Sequence, residues 1–496
     1  MEAHEIARLG KELVEYLSEF SDCFGRSEPR EHLREYVCGQ ASGLHRKSIE
    51  PIALLNGTPP RTLQRFLESV QWDEERLCAR VQWIVARDHA HPHAIGIVDE
   101  SGHPKKGRHT AAVHHQYCGN TGKQDNCVMS VHTSYVAGTF QCILDSELYL
   151  PQQWAADPER RRKAYIPDDV VYRKKTAIAL DQIRRALGNG IRVAAWTFDE
   201  WYGRDSEFLD GLDQLGQDYV GEVPSIFTGW VQEPEVLQRP RPQDLRKSGR
   251  TRQYPRVAVR SSRTHQVRNL LTYSRVFQRQ KWRRFRVKDG EKGPIVWEIK
   301  HAPFWRKRQD GLPARAGTLV VACNVLTDEL KYFVSNMAVG RGAVSIEWLL
   351  WIAFSRWPVE HCFKQAKDEL GMSHFEVRGW RSIHRHLYIT QVSHLFCSRM
   401  RDRLGKKNGR SRVPDRGTGT RGRLHLVRGP GAATIVSLEE VRAGSGSIRG
   451  NRSRVGRSQD VVVALLPEAC YNAGHGQGCP HQAVGRRGRG ASEAAR

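Results

Sequence analysis

Three carboxylates in this chain stand where acids can do chemistry. Asp99 closes the apolar run from Ala94 to Val98, Asp199 closes the run I-R-V-A-A-W-T-F from Ile191 to Phe198, and Glu360 falls inside the helix-patterned segment R-W-P-V-E-H-C-F-K-Q-A-K. An acid that ends a buried strand is presented at a sheet edge, where an ion or ligand can reach it. Singly, each reads first as a turn residue or helix cap; as a set they suggest a metal site. Three acids without soft ligands suit phosphodiester chemistry. Magnesium prefers oxygen ligands, and two ions about 4 Å apart can activate an attacking hydroxyl and stabilise the leaving oxygen. The expected cofactor is therefore Mg2+ or Mn2+, two ions, with Asp99, Asp199 and Glu360 as metal ligands and catalytic residues.

Bases flank these acids. Lys105, Lys106 and Arg108 follow Asp99, while Arg356 and Lys367 lie four residues before and seven after Glu360. Those spacings approach one and two helical turns, so a single helix from Ser345 to Leu370 would put Arg356, Glu360 and Lys367 on one face. Such a face could coordinate metal and grip phosphate together.

The elements that must carry these residues can be read from periodicity. Residues 1–90 are expected to be helical, with an apolar stripe at Ile6, Leu9, Leu13 and Tyr16. Within them two helices flank G-T-P-P, an arrangement that suits either a helix-turn-helix DNA reader or a plain bundle. Strand patterns follow at Ala94–Val98, Thr110–Tyr117, Cys127–Tyr135 and Phe140–Tyr149. A helix at Val171–Leu187, the strand Ile191–Phe198, a helix near Ser206–Leu215 and a strand at Tyr219–Val223 complete the series. The order predicts an α+β or α/β fold with a central mixed sheet flanked by helices. Residues 91–224 form its first part, 225–340 a basic β-rich insertion that interrupts it, and 341–404 the helices carrying Glu360.

The charge balance points to a polyanionic partner. The 496 residues hold 78 Lys+Arg against 54 Asp+Glu, a net charge of +24. Two stretches hold the excess. From Arg239 to Lys288 there are 17 bases and one acid, interleaved with Tyr254, Tyr273, Phe277, Trp282 and Phe285; Arg250, Arg283 and Arg284 are the DNA-binding candidates there. Such a stretch can follow phosphates while its aromatics pack or stack on bases. Residues 405–496 carry 17 bases and 17 glycines with no Trp or Phe, so they cannot bury enough surface to fold. They read as a disordered arm, and their abrupt change of texture also suits an out-of-frame read-through. The 11 Cys have no C-x-x-C spacing and read as reduced thiols. With no long apolar run and no signal-peptide layout, a soluble, cytoplasmic, nucleoid-associated protein is expected.

The combined pattern resembles the DDE transposases of bacterial insertion sequences, specifically the group with a Tyr-x2-Arg-x3-Glu-x6-Lys signature. Arg356, Glu360 and Lys367 match its last three positions, and Ala353 stands at the tyrosine position with Phe354 beside it. T-F-D-E-W-Y-G resembles the second-aspartate strand, with Tyr202 three residues after Asp199, and D-E-S-G-H-P-K-K-G resembles the first-aspartate region. The resemblance spans about Gly43 to Leu404. It implies an RNase H-like catalytic domain and cleavage of double-stranded DNA at terminal inverted repeats, with joining of the 3′ ends to target DNA in a synaptic homodimer. By the same analogy, Trp297 or Trp305 is a candidate to stack on a displaced base. The competing readings are a catalytically silent DNA-binding copy and a stand-alone RNase H-like nuclease.

Overall fold

The computed structural model describes residues 3–238, 254–261, 263–290, 293–340, 344–407 and 436–437, without the side chains of 3–8, 288–290, 293–295, 357–360, 404–407 and 436–437. Beyond Lys407 the expectations for the C-terminal arm therefore lie outside the described residues, apart from the short strand Val436–Ser437.

Five helices come first: α1 (Ala3–Ser18), α2 (Ser27–Gln40), α3 (Ile49–Leu55), α4 (Pro60–Glu68) and α5 (Glu74–Asp88). Pro60 opens α4 because a first-turn residue needs no N–H partner, and Asp73 caps α5 by accepting from the Arg76 N–H. These helices do not close a core of their own. Leu13, Phe20, Leu33, Ile52, Phe66 and Val81 pack with Tyr135, Phe140 and Leu144 of the sheet and with Ile389, Val392 and Phe396 of the last helix. Buried polar bonds reinforce this junction: Tyr36 meets His386 at 2.9 Å, and Gln40 bonds Thr390 and Ser393, each at 2.8 Å.

The sheet begins with β1 (Ile95–Pro104), β2 (His114–Cys118), β3 (Lys123–Ala137) and β4 (Phe140–Leu148). After α6 (Gln152–Ala155), α7 (Pro158–Lys163) and α8 (Lys175–Gly188) come β5 (Ala195–Phe198), α9 (Glu200–Gly203), α10 (Ser206–Gln214) and β6 (Tyr219–Val223). In space these strands run β4-β3-β1-β5-β6. The first three are antiparallel, and β5 and β6 run parallel to β1.

The following segment supplies β7 (Thr228–Trp230), β8 (Val236–Leu237), β9 (Arg256–Val257) and β10 (His265–Gln266), the short helices α11 (Leu270–Tyr273) and α12 (Arg275–Gln278), then β11 (Arg283–Gly290), β12 (Gly293–Arg306), β13 (Gly317–Asn324) and β14 (Leu330–Ser335). It interrupts the sheet in sequence but continues it in space. Because β14 pairs antiparallel with β6, and β13 and β12 follow outward, the β6 edge is covered rather than exposed.

The segment from Ser345 to Leu370, expected as one helix, is three pieces: α13 (Ile346–Phe354), α14 (Trp357–Lys364) and a π turn over Gln365–Glu369. The break has a local cause. A proline at 358 offers no N–H to the Phe354 carbonyl four residues back and is incompatible with an unbroken helix through that turn, so α13 stops at Phe354. The long α15 (Trp380–Lys407) closes the fold.

Candidate active site

β1 and β5 run in parallel with Ile97 opposite Thr197, so Asp99 and Asp199 each lie two residues beyond the same matched pair. The register places the two acids side by side at the C-terminal limit of the β1–β5 pairing. Asp99 does not end its strand as expected, however. β3 is long enough to keep pairing β1 from Asp99 opposite His132 to Pro104 opposite Cys127, so E-S-G-H-P stays extended despite its turn-forming composition.

Each acid has one oxygen held by the backbone. Asp199 caps α9, its Oδ1 accepting the N–H groups of Trp201 at 3.0 Å and Tyr202 at 3.3 Å. Asp99 Oδ1 accepts the Glu100 N–H at 2.8 Å, while Oδ2 lies 3.4 Å from Arg356 Nη1. The Asp99 side chain is only 15% exposed. Burial pushes its carboxyl up to about 7, with Arg356 opposing and the charge of Asp199 adding to the rise. A desolvated carboxylate beside a second acid forms a hard-oxygen pair whose repulsion a divalent cation would relieve.

Arg356 precedes α14 and Lys367 lies in the π turn that continues it, so the three signature residues do not sit in one regular α-helix as expected. Both bases nevertheless approach Asp99. Burial lowers the Lys367 ammonium's pKa, and the charges of Cys118 and Asp99 partly restore it. Glu360 sits in the backbone of α14, which packs against β1 and β4. Among the described side chains, which exclude that of Glu360, no three His, Cys, Asp or Glu residues form a metal-sized cluster.

The other site expectations fare differently. Lys105 turns inward: its Nζ donates to the carbonyls of Ser373 at 3.0 Å and Phe375 at 2.7 Å, and burial lowers its pKa to about 7. Its charge is thus engaged in closing the β1 end against the segment before α15, whereas Lys106 is exposed. Arg283 and Arg284 alternate on β11 and are exposed, paired with Glu347 at 3.2 Å and Glu298 at 2.5 Å. Arg250 lies outside the described residues. Trp297 is no base-stacking platform, because it is buried against Phe354 with ring centroids 5.4 Å apart. Trp305 is partly buried in β12, and Phe354, beside the signature's tyrosine position, also packs on Phe333.

Two features behind the acids are not legible in the sequence. Glu100, pointing to the opposite sheet face from Asp99, pairs with Lys175 at 2.8 Å, and that ammonium lies 5.0 Å from the Trp201 ring and 5.2 Å from the Tyr149 ring. On the Asp99 face a buried chain runs from Ser373 through His103, Ser130, His132 and Ser146 to Gln391, with steps of 2.6 to 2.9 Å. Burial first, then the nearby Lys367 charge, holds His132 down at about 3 and His103 well below the usual imidazole range, so both are neutral and each ring can donate once and accept once. Only the alternation of polar residues on β1 and β3 could have signalled this chain. Alternation alone usually marks a solvated face.

Comparisons with known proteins converge on one group. A family model described as DDE superfamily endonuclease matches residues 19–294. A probable transposase for insertion sequence element IS701 from Microchaete diplosiphon is 29% identical over 216 residues, 42% of this chain and 53% of that protein. The chain thus spans about half the length of this curated relative. The family match includes Asp99 and Asp199 and stops short of Glu360.

Proposed function

The chain belongs to the DDE superfamily endonucleases, and on that premise we propose that it is a DNA transposase that cuts at terminal inverted repeats and joins the freed 3′ ends to target DNA. The observation that carries the reading is the register of β1 and β5, which sets Asp99 and Asp199 side by side. The strand order β4-β3-β1-β5-β6, with three antiparallel strands and two parallel ones, supports an RNase H-like catalytic domain. In it Asp99, Asp199 and Glu360 would hold Mg2+ or Mn2+, in two sites. Bound there, divalent cations supply Lewis acidity and a nucleophile at neutral pH.

The chain's own residues do the positioning. The Glu100 N–H and the α9 N–H groups fix one oxygen of each aspartate, leaving the second oxygen of Asp199 for an ion, while that of Asp99 would be shared between an ion and Arg356. Arg356 restrains Asp99 and is placed to contact a phosphate beside it, with Lys367 behind. Lys106 and the exposed bases of the 254–286 segment carry the flanking duplex by charge. A homodimer would bring two such sites to the paired ends. Asp99→Asn, Asp199→Asn and Glu360→Gln are each expected to abolish cleavage and strand transfer while leaving binding of the repeat-end duplex within about twofold of wild type in a gel-shift titration. Full cleavage by any of the three would remove that residue from the metal set.

A further inference from the structure

We propose that Tyr202 is a positioning residue whose hydroxyl, directly or through one buried water, holds Glu100 and through it sets the orientation of Asp99. The inference rests on the reading of Asp99 as a catalytic acid. Tyr202 is fully buried, and its Oη finds no hydrogen-bond partner among the described residues. Buried hydroxyls without partners are costly and uncommon, and water commonly fills such places when a second polar group faces them. A second one is at hand. Among the described residues Glu100 Oε2 is buried with the Lys175 ammonium at 2.8 Å as its partner, and a carboxylate oxygen has a second lone pair with which to accept another donor. Burial above all, and then the charges of Glu100, Asp99 and Asp199, keep the phenol protonated, so its O–H is available to donate to a carboxylate.

The phenol has little freedom to turn elsewhere. Asp199 accepts the Tyr202 N–H, the ring packs 5.2 Å from Trp201 and 5.7 Å from Phe208, and Gly203 sits so close to β6 that an added Cβ would meet the Glu222 carbonyl oxygen at 1.9 Å. From Glu100 the path to the acid is one bond, because its N–H donates to Asp99 Oδ1 at 2.8 Å. Fixing the Glu100 side chain fixes the peptide that aims the Asp99 carboxylate, the kind of outer-shell support that tunes metal ligands.

The test is Tyr202→Phe in the full chain, with Mn2+ affinity followed by electron paramagnetic resonance, the thermal midpoint in EDTA, and repeat-end cleavage. Removing only the hydroxyl is expected to weaken Mn2+ binding and slow cleavage by about 10- to 100-fold, with a thermal midpoint near that of wild type because the ring is kept. Glu100→Gln is expected to give a similar loss, and the double variant no more than either single one. Wild-type Mn2+ affinity in Tyr202→Phe, or losses that multiply in the double variant, would overturn the proposal. A lowered midpoint with unchanged Mn2+ affinity would reduce Tyr202 to a packing residue. If the wild-type chain binds Mn2+ but cuts no repeat ends, the transposase reading fails while the Mn2+ comparison still decides the role of Tyr202.

Discussion

Replacing Asp99 by Asn should stabilise the metal-free protein while destroying its activity, and the size of the effect follows from burial. The Asp99 carboxyl is raised from 3.8 to about 7. At about 1.36 kcal/mol per pKa unit, the ceiling on the cost of keeping it ionised in the folded chain is about 4 kcal/mol. The pH dependence has a definite sign. Below 3.8 both folded and unfolded chains hold the proton and no cost arises; between 3.8 and about 7 only the folded chain holds it, so stability falls as pH rises; above about 7 the full cost is present. Asn cannot ionise and escapes this loss; the attraction of Arg356 is already contained in the net rise, and the solvent that still reaches a side chain 15% exposed screens the gain to roughly 2 kcal/mol. Urea unfolding in EDTA should therefore show Asp99→Asn more stable than wild type by roughly 2 kcal/mol near pH 8, with the gap closing toward about pH 5. Mn2+ at about ten times its dissociation constant should recover about 1.4 kcal/mol for wild type and much less for the variant. A variant no more stable than wild type near pH 8, or a gap that does not widen with pH, would refute the reasoning about a desolvated, repelled carboxylate.

Other perturbations test other links. Gly203→Ala should push α9 off β6, lowering stability by about 1–3 kcal/mol and displacing Asp199, which a lower denaturation midpoint together with weaker Mn2+ binding would reveal. Arg385 is fully buried, donates to the carbonyls of Phe66, Leu67 and Val70 at the end of α4, pairs with Glu74 and lies 4.4 Å from the Trp72 ring centroid. Arg385→Ala should cost about 3–5 kcal/mol by leaving those carbonyls without their donor and Glu74 with Arg381 alone, measurable by urea unfolding, whereas Arg381→Ala, at a more exposed pair with Glu74, should cost under about 1 kcal/mol. Neutralising Arg275, Arg279, Arg283 and Arg284 together should reduce the slope of log affinity against log salt by about 0.9 for each DNA phosphate that the protein then leaves to its counterions; an unchanged slope would move the DNA path to another face.

Much of the site is legible because strand patterning is local. Val98 and Phe198 belong to apolar runs that the sequence marks plainly, and an acid after each run is a conspicuous interruption. The register that puts Asp99 beside Asp199 is not legible, since it depends on which strands pair across a hundred residues. Local signals also mislead where pairing overrides them. E-S-G-H-P reads as a turn, yet β3 holds it extended, and R-W-P-V-E reads as helix interior, yet Pro358 ends α13 just before it. The 225–340 segment reads as a separate β-rich unit because sequence order separates it from β6; the β6–β14 pairing that joins them is long-range. Residue type alone draws Lys105 and Trp297 to DNA, and burial reassigns both to packing.

The most direct measurement is cleavage of a labelled duplex carrying the element's own flanking repeats, in magnesium and then in EDTA. Magnesium-dependent cuts at the repeat ends, absent in EDTA and absent with Asp99→Asn, are the expected result. Binding without cleavage under both conditions, or cleavage indifferent to the repeat sequence, would contradict the assignment of a working transposase.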